Sequence, residues 1–556
     1  MKTRFRQGAI LPSCLFSVLI LYGVAPMPSG AGFAQQQQAK AKAQLPPLPL
    51  SPVEQAEQDG TAVHISLRDL TKLALQNNLD IAISDTNEVL YQQRVIQAYG
   101  PYDPALNIGL GAQSSRRPNT NLTNQSSAGN FNKTDFANWN FQFAQNIPTG
   151  GGITASYNSS RSDTNQAFAL FSPQYNTSMS LQFTQPLNRN FRIDQTRGAI
   201  KLANLDTKLN DSQFRQTVTT TIATIQGMYW DLVGAIRDFQ IKRESVDLAR
   251  ITLDNNSREV EIGVLAPISI TEARANMASR QVDMISSRET ILVAENNLRS
   301  VISPDRNAEI WHQVIVPAET ADFVEYKVDL DTAIDTALKS RPELEQYGIQ
   351  LEENGINYQM DRNQKKWQVD LVGTFGSVGV AGPQGFNPLT GKPLIDPNLI
   401  GGIGNANKLL FSGGFTNWFA GFNIGIPLRN RGLDAQLGQL KVQRQQLLMN
   451  RKSTEQKITV QVRNAIADLD TNKQRVETAK VAVELAQEQL TGETKRFQAG
   501  MSQNFLVLQR QQDLSTAKGT ELQALVAYKK SAIALQQAMY TLLESNDFEI
   551  AKSVAR

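Results

Sequence analysis

Two long ladders of apolar residues set the terms for this 556-residue chain. In one, Ile458, Val462, Ala465, Leu469, Val476, Ala479, Val483, Ala486 and Leu490 step by four and three, with Asn472 as the polar member. In the other, Val218, Ile222, Ile225, Tyr229, Leu232, Ile236, Phe239, Val246 and Leu253 do the same, with Arg243 and Arg250 as polar members. No Pro or Gly falls between Leu440 and Thr491, so nothing local ends that helix. A ladder so long and narrow is a coiled-coil seam rather than the broad face of a globular helix. Each ladder runs into a glycine turn, at Ile262-Gly263-Val264 and at Ala499-Gly500-Met501, followed by a second helix. Two long helical hairpins are the expected skeleton.

The remaining elements differ in kind. Leu106-Asn107-Ile108-Gly109-Leu110, Trp139 to Phe143, Met179 to Phe183, Val369 to Leu371 and Phe422 to Ile426 alternate apolar and polar residues, the strand signature. Their polar positions are Asn, Gln, Ser and Thr with hardly a charge, whereas a soluble sheet would show Lys and Glu to solvent. The pattern leans towards a barrel wall around a wet lumen. Polar, Gly- and Pro-rich segments at 115–135 and 381–414 suit outer loops. Trp139 to Ile147 with Ile153 to Ser160 reads as an extra hairpin, giving four strands before the first long helix and two before the second; either this pair folds apart as a loop or the barrel is larger.

Residues 65–113 and 328–376 resemble each other at an offset of 263. Leu67, Ala74, Leu75 and Ile81 align with Leu330, Ala337, Leu338 and Leu344, and each copy orders short helix, longer helix and strand alike. A duplication follows. Strand passes to long helix through Gln185-Pro186-Leu187 and Ile426-Pro427-Leu428, with proline where a strand must end.

Lys2, Arg4 and Arg6 precede a short apolar run, Leu15 to Val24, and small residues up to Ala34. This is the layout of a secretory signal, residues 1–34. Those three cations supply the whole formal charge of +3, so the mature chain is neutral and gives no support to nucleic-acid binding. Cys14, the single cysteine, lies inside the signal, which excludes a disulfide framework or thiolate metal site. His64 and His312 are the only histidines, and neither has a nearby carboxylate cluster. No catalytic, cofactor or metal site is expected, and the chain does not read as an enzyme.

The domain reading is a signal at 1–34, a flexible Gln/Pro-rich tether at 35–60, a first repeat at 61–327, a second at 328–545 and a tail at 546–556. In the repeats, barrel strands occupy about 104–186 and 367–427, and helical hairpins about 194–302 and 432–543. Helices of roughly 60 residues would run about 90 Å. Joined to too few strands to close a barrel alone, they demand neighbours.

Glu259 to Pro267 with Glu272-Ala273-Arg274, and Arg496 to Met501 with Leu506-Val507-Leu508, together with the duplicated halves and strand-Pro-Leu-helix junctions, resemble the TolC family of outer membrane efflux proteins. The resemblance implies an α+β membrane protein: a homotrimer whose strands form one β-barrel in outer membrane lipid, continued by a periplasmic α-helical coiled-coil barrel. The family's usual count is two strands per half, twelve in the trimer. Its function is that of a passive duct in tripartite efflux or type I secretion, fed by an inner-membrane pump of RND or ABC type through a periplasmic adaptor protein.

The resemblance also places the periplasmic entrance at the glycine turns. Positions that carry acids in the best-known members, six and nine residues beyond the second glycine, are Leu506 and Gln509 here; after the first glycine they are Ser269 and Glu272. Phe497 holds the aromatic position three residues before Gly500. The expected gate is therefore apolar contact of Leu506 and Phe497, with Glu272 supplying negative charge. Gly263, Val264, Gly500 and Met501 are the expected adaptor-docking tips. The competing reading is a soluble periplasmic coiled-coil adaptor or scaffold, which needs fewer strands.

Overall fold

The structure, a computed structural model, describes residues 49–119, 130–166, 169–385 and 395–544. The signal, most of the tether and the tail lie outside them. Within the region read as tether, Pro52–Asp59 forms a helix, α1, which corrects that expectation for its last residues. The cause is a capping box: the Ser51 hydroxyl accepts from the Glu54 N–H at 3.0 Å while Glu54 accepts from the Ser51 N–H at 3.1 Å, with Pro at the first helical turn. Glu54 also pairs with Arg243, one of the polar ladder positions.

The chain continues through β1 (Ala62–Ile65), α2 (Leu67–Asn77), α3 (Leu79–Tyr99), β2 (Ala105–Pro118), β3 (Phe131–Asn146), β4 (Gly152–Thr164) and β5 (Gln174–Pro186). Two long helices follow, α4 (Gln195–Glu261) and α5 (Ile268–Ile302), then β6 (Val314–Pro317). The rest comprises α6 (Leu330–Ser340), α7 (Pro342–Gln364), β7 (Gln368–Ala381), α8 (Ile403–Ser412), β8 (Thr416–Gly425), α9 (Arg431–Gln498) and α10 (Asn504–Met539). The helix α8 corrects the expectation of loop across 381–414. Residues α2, α3 and β2 start 263 positions before α6, α7 and β7.

With 67 and 68 residues, α4 and α9 are each about 100 Å long. Their ladders are buried as the periodicity requires. On α4, Val218, Ile222, Ile225, Tyr229 and Leu232 are inaccessible to solvent, and on α9 Ile458, Val462, Leu469 and Val476 are nearly so. The α9 ladder packs on Ala333, Ala337 and Leu344 and on Ala524, Tyr528 and Leu535 of α10. Each such apolar side chain contributes about 1.5–3 kcal/mol, so the hairpins are held by their seams. Across the layer the order is α5, α4, α10, α9, and α4 meets α10 through polar contacts as well: Gln511 donates to Thr252 at 2.9 Å, and Lys518 and Lys530 pair with Glu244 and Asp231. The helix α7 packs on both α4 and α9, whereas α3 packs on α4.

Midway along the hairpins, β1 and β6 pair in parallel. Two buried tyrosines fasten the connection there. Tyr229 donates to Glu319, whose carboxylate accepts from the Leu67 N–H at 3.0 Å. The Tyr528 hydroxyl donates to the Val324 carbonyl at 3.1 Å and accepts from the Tyr326 N–H at 2.9 Å. Burial, with the adjoining Glu319 carboxylate, pushes the Tyr229 hydroxyl well above the phenol range, so it stays a donor.

The other six strands form one antiparallel sheet in the order β2-β3-β4-β5-β7-β8. The extra hairpin is thus part of the sheet, between β2 and β5.

Candidate functional site

The two hairpin tips are built alike. At the end of α4 the Gly263 N–H donates to the Val260 carbonyl and the Val264 N–H to the Glu259 carbonyl; at the end of α9 Gly500 donates to Phe497 and Met501 to Arg496. This is the Schellman arrangement, which needs a left-handed residue just past the cap. Gly263 and Gly500 supply it at φ +80° and +74°. Nothing lies within 4 Å of a Cβ built on either glycine, so the requirement is conformational alone. Alanine at Gly500 should cost about 1–2 kcal/mol of local strain. The expected result is faster proteolytic nicking near 498–504 with little change in the global denaturation midpoint; the same holds for Gly263→Ala near its own turn.

Beyond each cap the chain exposes apolar side chains, Ile262, Val264 and Ile268 at one tip, Met501 and Phe505 at the other. Such a pair of rigid tips can present a small apolar surface to a partner.

The expected gate residues do not share one environment. Ser269 is buried, with the Asn256 amide directed at its carbonyl. Phe497 is half-buried against Leu490, Val507 and Leu514, inside the α9–α10 seam. Leu506 is half-buried at the flank of α10, whereas Glu272 and Gln509 are exposed. Phe505, which the sequence analysis passed over, shares the exposed side of α10 with Gln509 one turn on. Asn504 and Gln511, not among the residues expected from the sequence, are buried there with amide atoms lacking a partner. A seam that carries polar residues of this kind near its end is weaker there than an apolar one. Ser-Gln-Asn ahead of an apolar run was the available signal.

At the other end, the register gathers one apolar face and one polar face. On the apolar face Leu106 lies beside Phe143, Ala155, Leu181, Phe375 and Trp418, and Ile108 beside Phe141, Tyr157 and Met179. Much of this face is bare; Leu110 and Trp418 are 77% and 78% exposed. The band runs from Val369 and Ile424 to Trp139 and Leu110, about ten residues or roughly 34 Å of strand, which projects to about 26 Å at a tilt near 40°. Beyond it stand Arg116, Lys133, Asp135, Arg161 and Asp163, with ion pairs between Lys133 and Asp135 and between Arg161 and Asp163. An apolar band of that height, bare along β2 and β8, covered by α8 at Thr177 and Ser377 and bounded by charges, is compatible with the hydrocarbon layer of an outer membrane. Among the described residues no helix is long and apolar enough to cross a membrane.

Comparison with known proteins gives a consistent picture. The profile of the family described as outer membrane efflux protein matches residues 152–303 and 333–539. The chain is 20% identical over 352 residues to two outer membrane proteins of Pseudomonas putida, the probable efflux pump protein TtgC and the antibiotic efflux pump protein ArpC. Those alignments cover 62% of this chain, which spans 65% of each relative's length. Among solved structures, the CmeC outer membrane channel of Campylobacter jejuni superposes with a TM-score of 0.59 at 15% identity, covering 87% of this chain and 86% of that one. The open-state MtrE outer membrane channel of Neisseria gonorrhoeae gives 0.56 at 17%, covering 85% and 88%. At these identities the likeness is one of fold.

Proposed function

Because the chain belongs to the outer membrane efflux protein family, we propose that it is one wall segment of a trimeric duct, barrel-shaped in the outer membrane and continued by coiled helices through the periplasm. The observation that carries this reading is that both layers end in unpartnered edges. The sheet stops at β2 and β8, where Leu106, Leu110, Trp418 and Phe422 are bare, and long apolar edges are hazards unless paired. The helical layer stops at α5 and α9, which expose Val282, Ile285 and Val293, and Val460, Val481 and Leu485.

The coincident spacing of the two halves supports a rule for closing these edges. If the halves are repeats, α7 corresponds to α3, α9 to α4 and α10 to α5. Within the chain α7 rests on its own α9 and on α4 of the other half. Its counterpart α3 rests on its own α4 and would complete the pattern on α9 of the next copy. Likewise α10 packs on α4, so α5 would pack on the neighbour's α9. In the sheet β2 and β8 run in opposite directions, so β8 can pair antiparallel with β2 of the next copy. The contacts are heterologous and close into a ring; three copies is the number the family resemblance implies.

In this reading the duct is passive. An inner-membrane pump, RND or ABC in type, drives the substrate, and a periplasmic adaptor docks on the tips around Gly263, Val264, Gly500 and Met501. Ion pairs and hydrogen bonds near mid-hairpin are structural. A soluble adaptor is disfavoured by six strands whose apolar face is bare along β2 and β8. The test is the purified, detergent-solubilised protein in a planar bilayer. A discrete single-channel conductance from heat-resistant trimers is expected; properly trimeric protein without a channel overturns the conduit.

A further inference from the structure

We infer that the membrane section of this duct is an eighteen-stranded barrel, wider than the twelve-stranded one the family resemblance implies, and that its lumen is built for bulky, uncharged, hydrophilic cargo. The inference rests on the trimeric reading above. It adds two observations: where the extra hairpin lies, and what the polar face carries.

The hairpin is integral to the wall. In each half the first strand begins at an equivalent position, Ala105 of β2 and Gln368 of β7, and the last strand precedes a Pro-Leu junction, β5 and β8. Strands β3 and β4 are what remains. Both neighbours accept them along their lengths: β2 pairs with β3 from Ala105–Ala144 to Pro118–Phe131, and β4 with β5 from Gly152–Thr184 to Ser162–Gln174. Their faces are in phase with the rest, since Phe141, Phe143, Ile153 and Tyr157 fall on the apolar side. A one-residue slip would have turned them to the polar side. In the second half the corresponding space is used otherwise. There α8 lies back on the sheet, held by hydrogen bonds from Ser377 to the Leu410 carbonyl at 2.6 Å and from Tyr157 to Asn407 at 2.7 Å.

Six strands keep the edges antiparallel, so a ring of three copies still closes. At about 4.8 Å between strands and a tilt near 40°, eighteen strands give a backbone diameter of about 36 Å, against about 24 Å for twelve. The cross-section therefore more than doubles.

The polar face is concave, enclosing a hollow of about 550 Å³ along β3, β4, β5 and β7. Asn138, Asn140, Asn158 and Asn176 line it together with the apolar Phe136, Val378 and Val380. On the six strands, ionisable side chains of this face are confined to the ends, Arg117 near the outer rim and Asp370 near the inner. Amides and hydroxyls interleaved with these uncharged apolar side chains offer donors and acceptors but no field to select an ion. Polyhydroxylated chains and other neutral polymers exchange water for such a surface at little cost.

The test is an electron-microscopic reconstruction of the trimer in a lipid nanodisc, beside cysteine labelling; the sole native cysteine is Cys14. Eighteen wall strands are expected. In the bilayer, Asn140→Cys should react with a water-soluble thiol reagent, and Phe141→Cys, beside it on the opposite and bare face, should not. A trimeric duct with twelve wall strands and both cysteines equally reactive overturns this inference and leaves the duct standing. A ring that fails to close overturns both. Neutral dextrans and anionic polymers of equal size supply the cargo arm: current blockade by the anionic polymer alone would overturn the assignment of uncharged cargo.

Discussion

Arg299→Leu should destabilise the folded chain by about 3–5 kcal/mol, because it strands a carboxylate in the interior. Glu295, one turn earlier on α5, has a side chain only 1% exposed. Its Oε1 accepts from the Arg299 guanidinium at 2.6 Å and from the Ile315 N–H at 2.7 Å, and Arg299 also donates to the Gln313 carbonyl. The pair thus fastens β6 to the end of α5. Burial raises the Glu295 carboxyl above its ordinary range, opposed by the Ile315 N–H and by Arg299. Removing Arg299 deletes one of the opposing influences, so the folded state holds its proton to still higher pH than the unfolded chain. For a carboxyl raised in this way, stability is fullest below the ordinary glutamate value of about 4.3 and falls as pH rises through it towards the raised value. The deficit against wild type should accordingly shrink on acidification. Replacing Glu295 by Gln alongside Arg299→Leu removes the stranded charge, keeps an acceptor for the Ile315 N–H and leaves the cost of the orphaned Gln313 carbonyl, about 1–3 kcal/mol. Denaturant titrations at about pH 7.5 and about pH 4.5 read both variants beside wild type. A double variant as unstable as Arg299→Leu would show that the charge is not the cause.

The long hairpins were legible because a heptad pattern has one physical solution: the stripe from Ile458 to Leu490 has to turn inward, and it does, fully at most positions and partly at Val483 and Ala486. Strand faces were legible for the same reason, since alternation in Leu106 to Leu110 or Met179 to Phe183 fixes a side. What the pattern could not convey was whether Trp139 to Ser160 joined the sheet, because membership depends on register with β2 and β5. The parallel pair β1 and β6 escaped notice altogether. Each has four residues, too few for a period to show, and its partner is about 250 positions away. The helix α1 was readable and overlooked, for Ser51-Pro52-Val53-Glu54 is a capping box in plain view. The hairpin tips followed from Gly263 and Gly500 alone. The proposed entrance did not, because in the trimeric reading its geometry would be set between copies of the chain.

At that entrance, Leu506→Ala should convert a small resting conductance into one several-fold larger. The flank of α10 decides which residue can act as a gate. Asn504, Val507 and Leu508 face the seam and are buried, and Phe505 and Gln509 face away. Leu506 lies at the boundary, half in contact with its own hairpin and half free to meet its equivalents in a ring. Three such leucines would close the bore by excluding water, a barrier that shortening to alanine removes. Phe497, packed against Leu490 and Val507, would support that contact from behind. Glu272 is exposed, and three copies brought together would repel by a few kcal/mol at an effective dielectric near 20, a cost that solvent or a bound cation relieves. Glu272→Gln should therefore alter cation preference and leave the closed state closed. Val507→Ala is the control, because a cavity in the seam costs about 1–3 kcal/mol of stability without touching the bore. Single-channel recording of the three variants beside wild type separates the roles. If Leu506→Ala matches wild type while Val507→Ala opens the channel, closure depends on the rigidity of the hairpin seam and the apolar ring is wrong. If neither changes a measurable channel, the duct remains and its gate lies away from the second glycine turn.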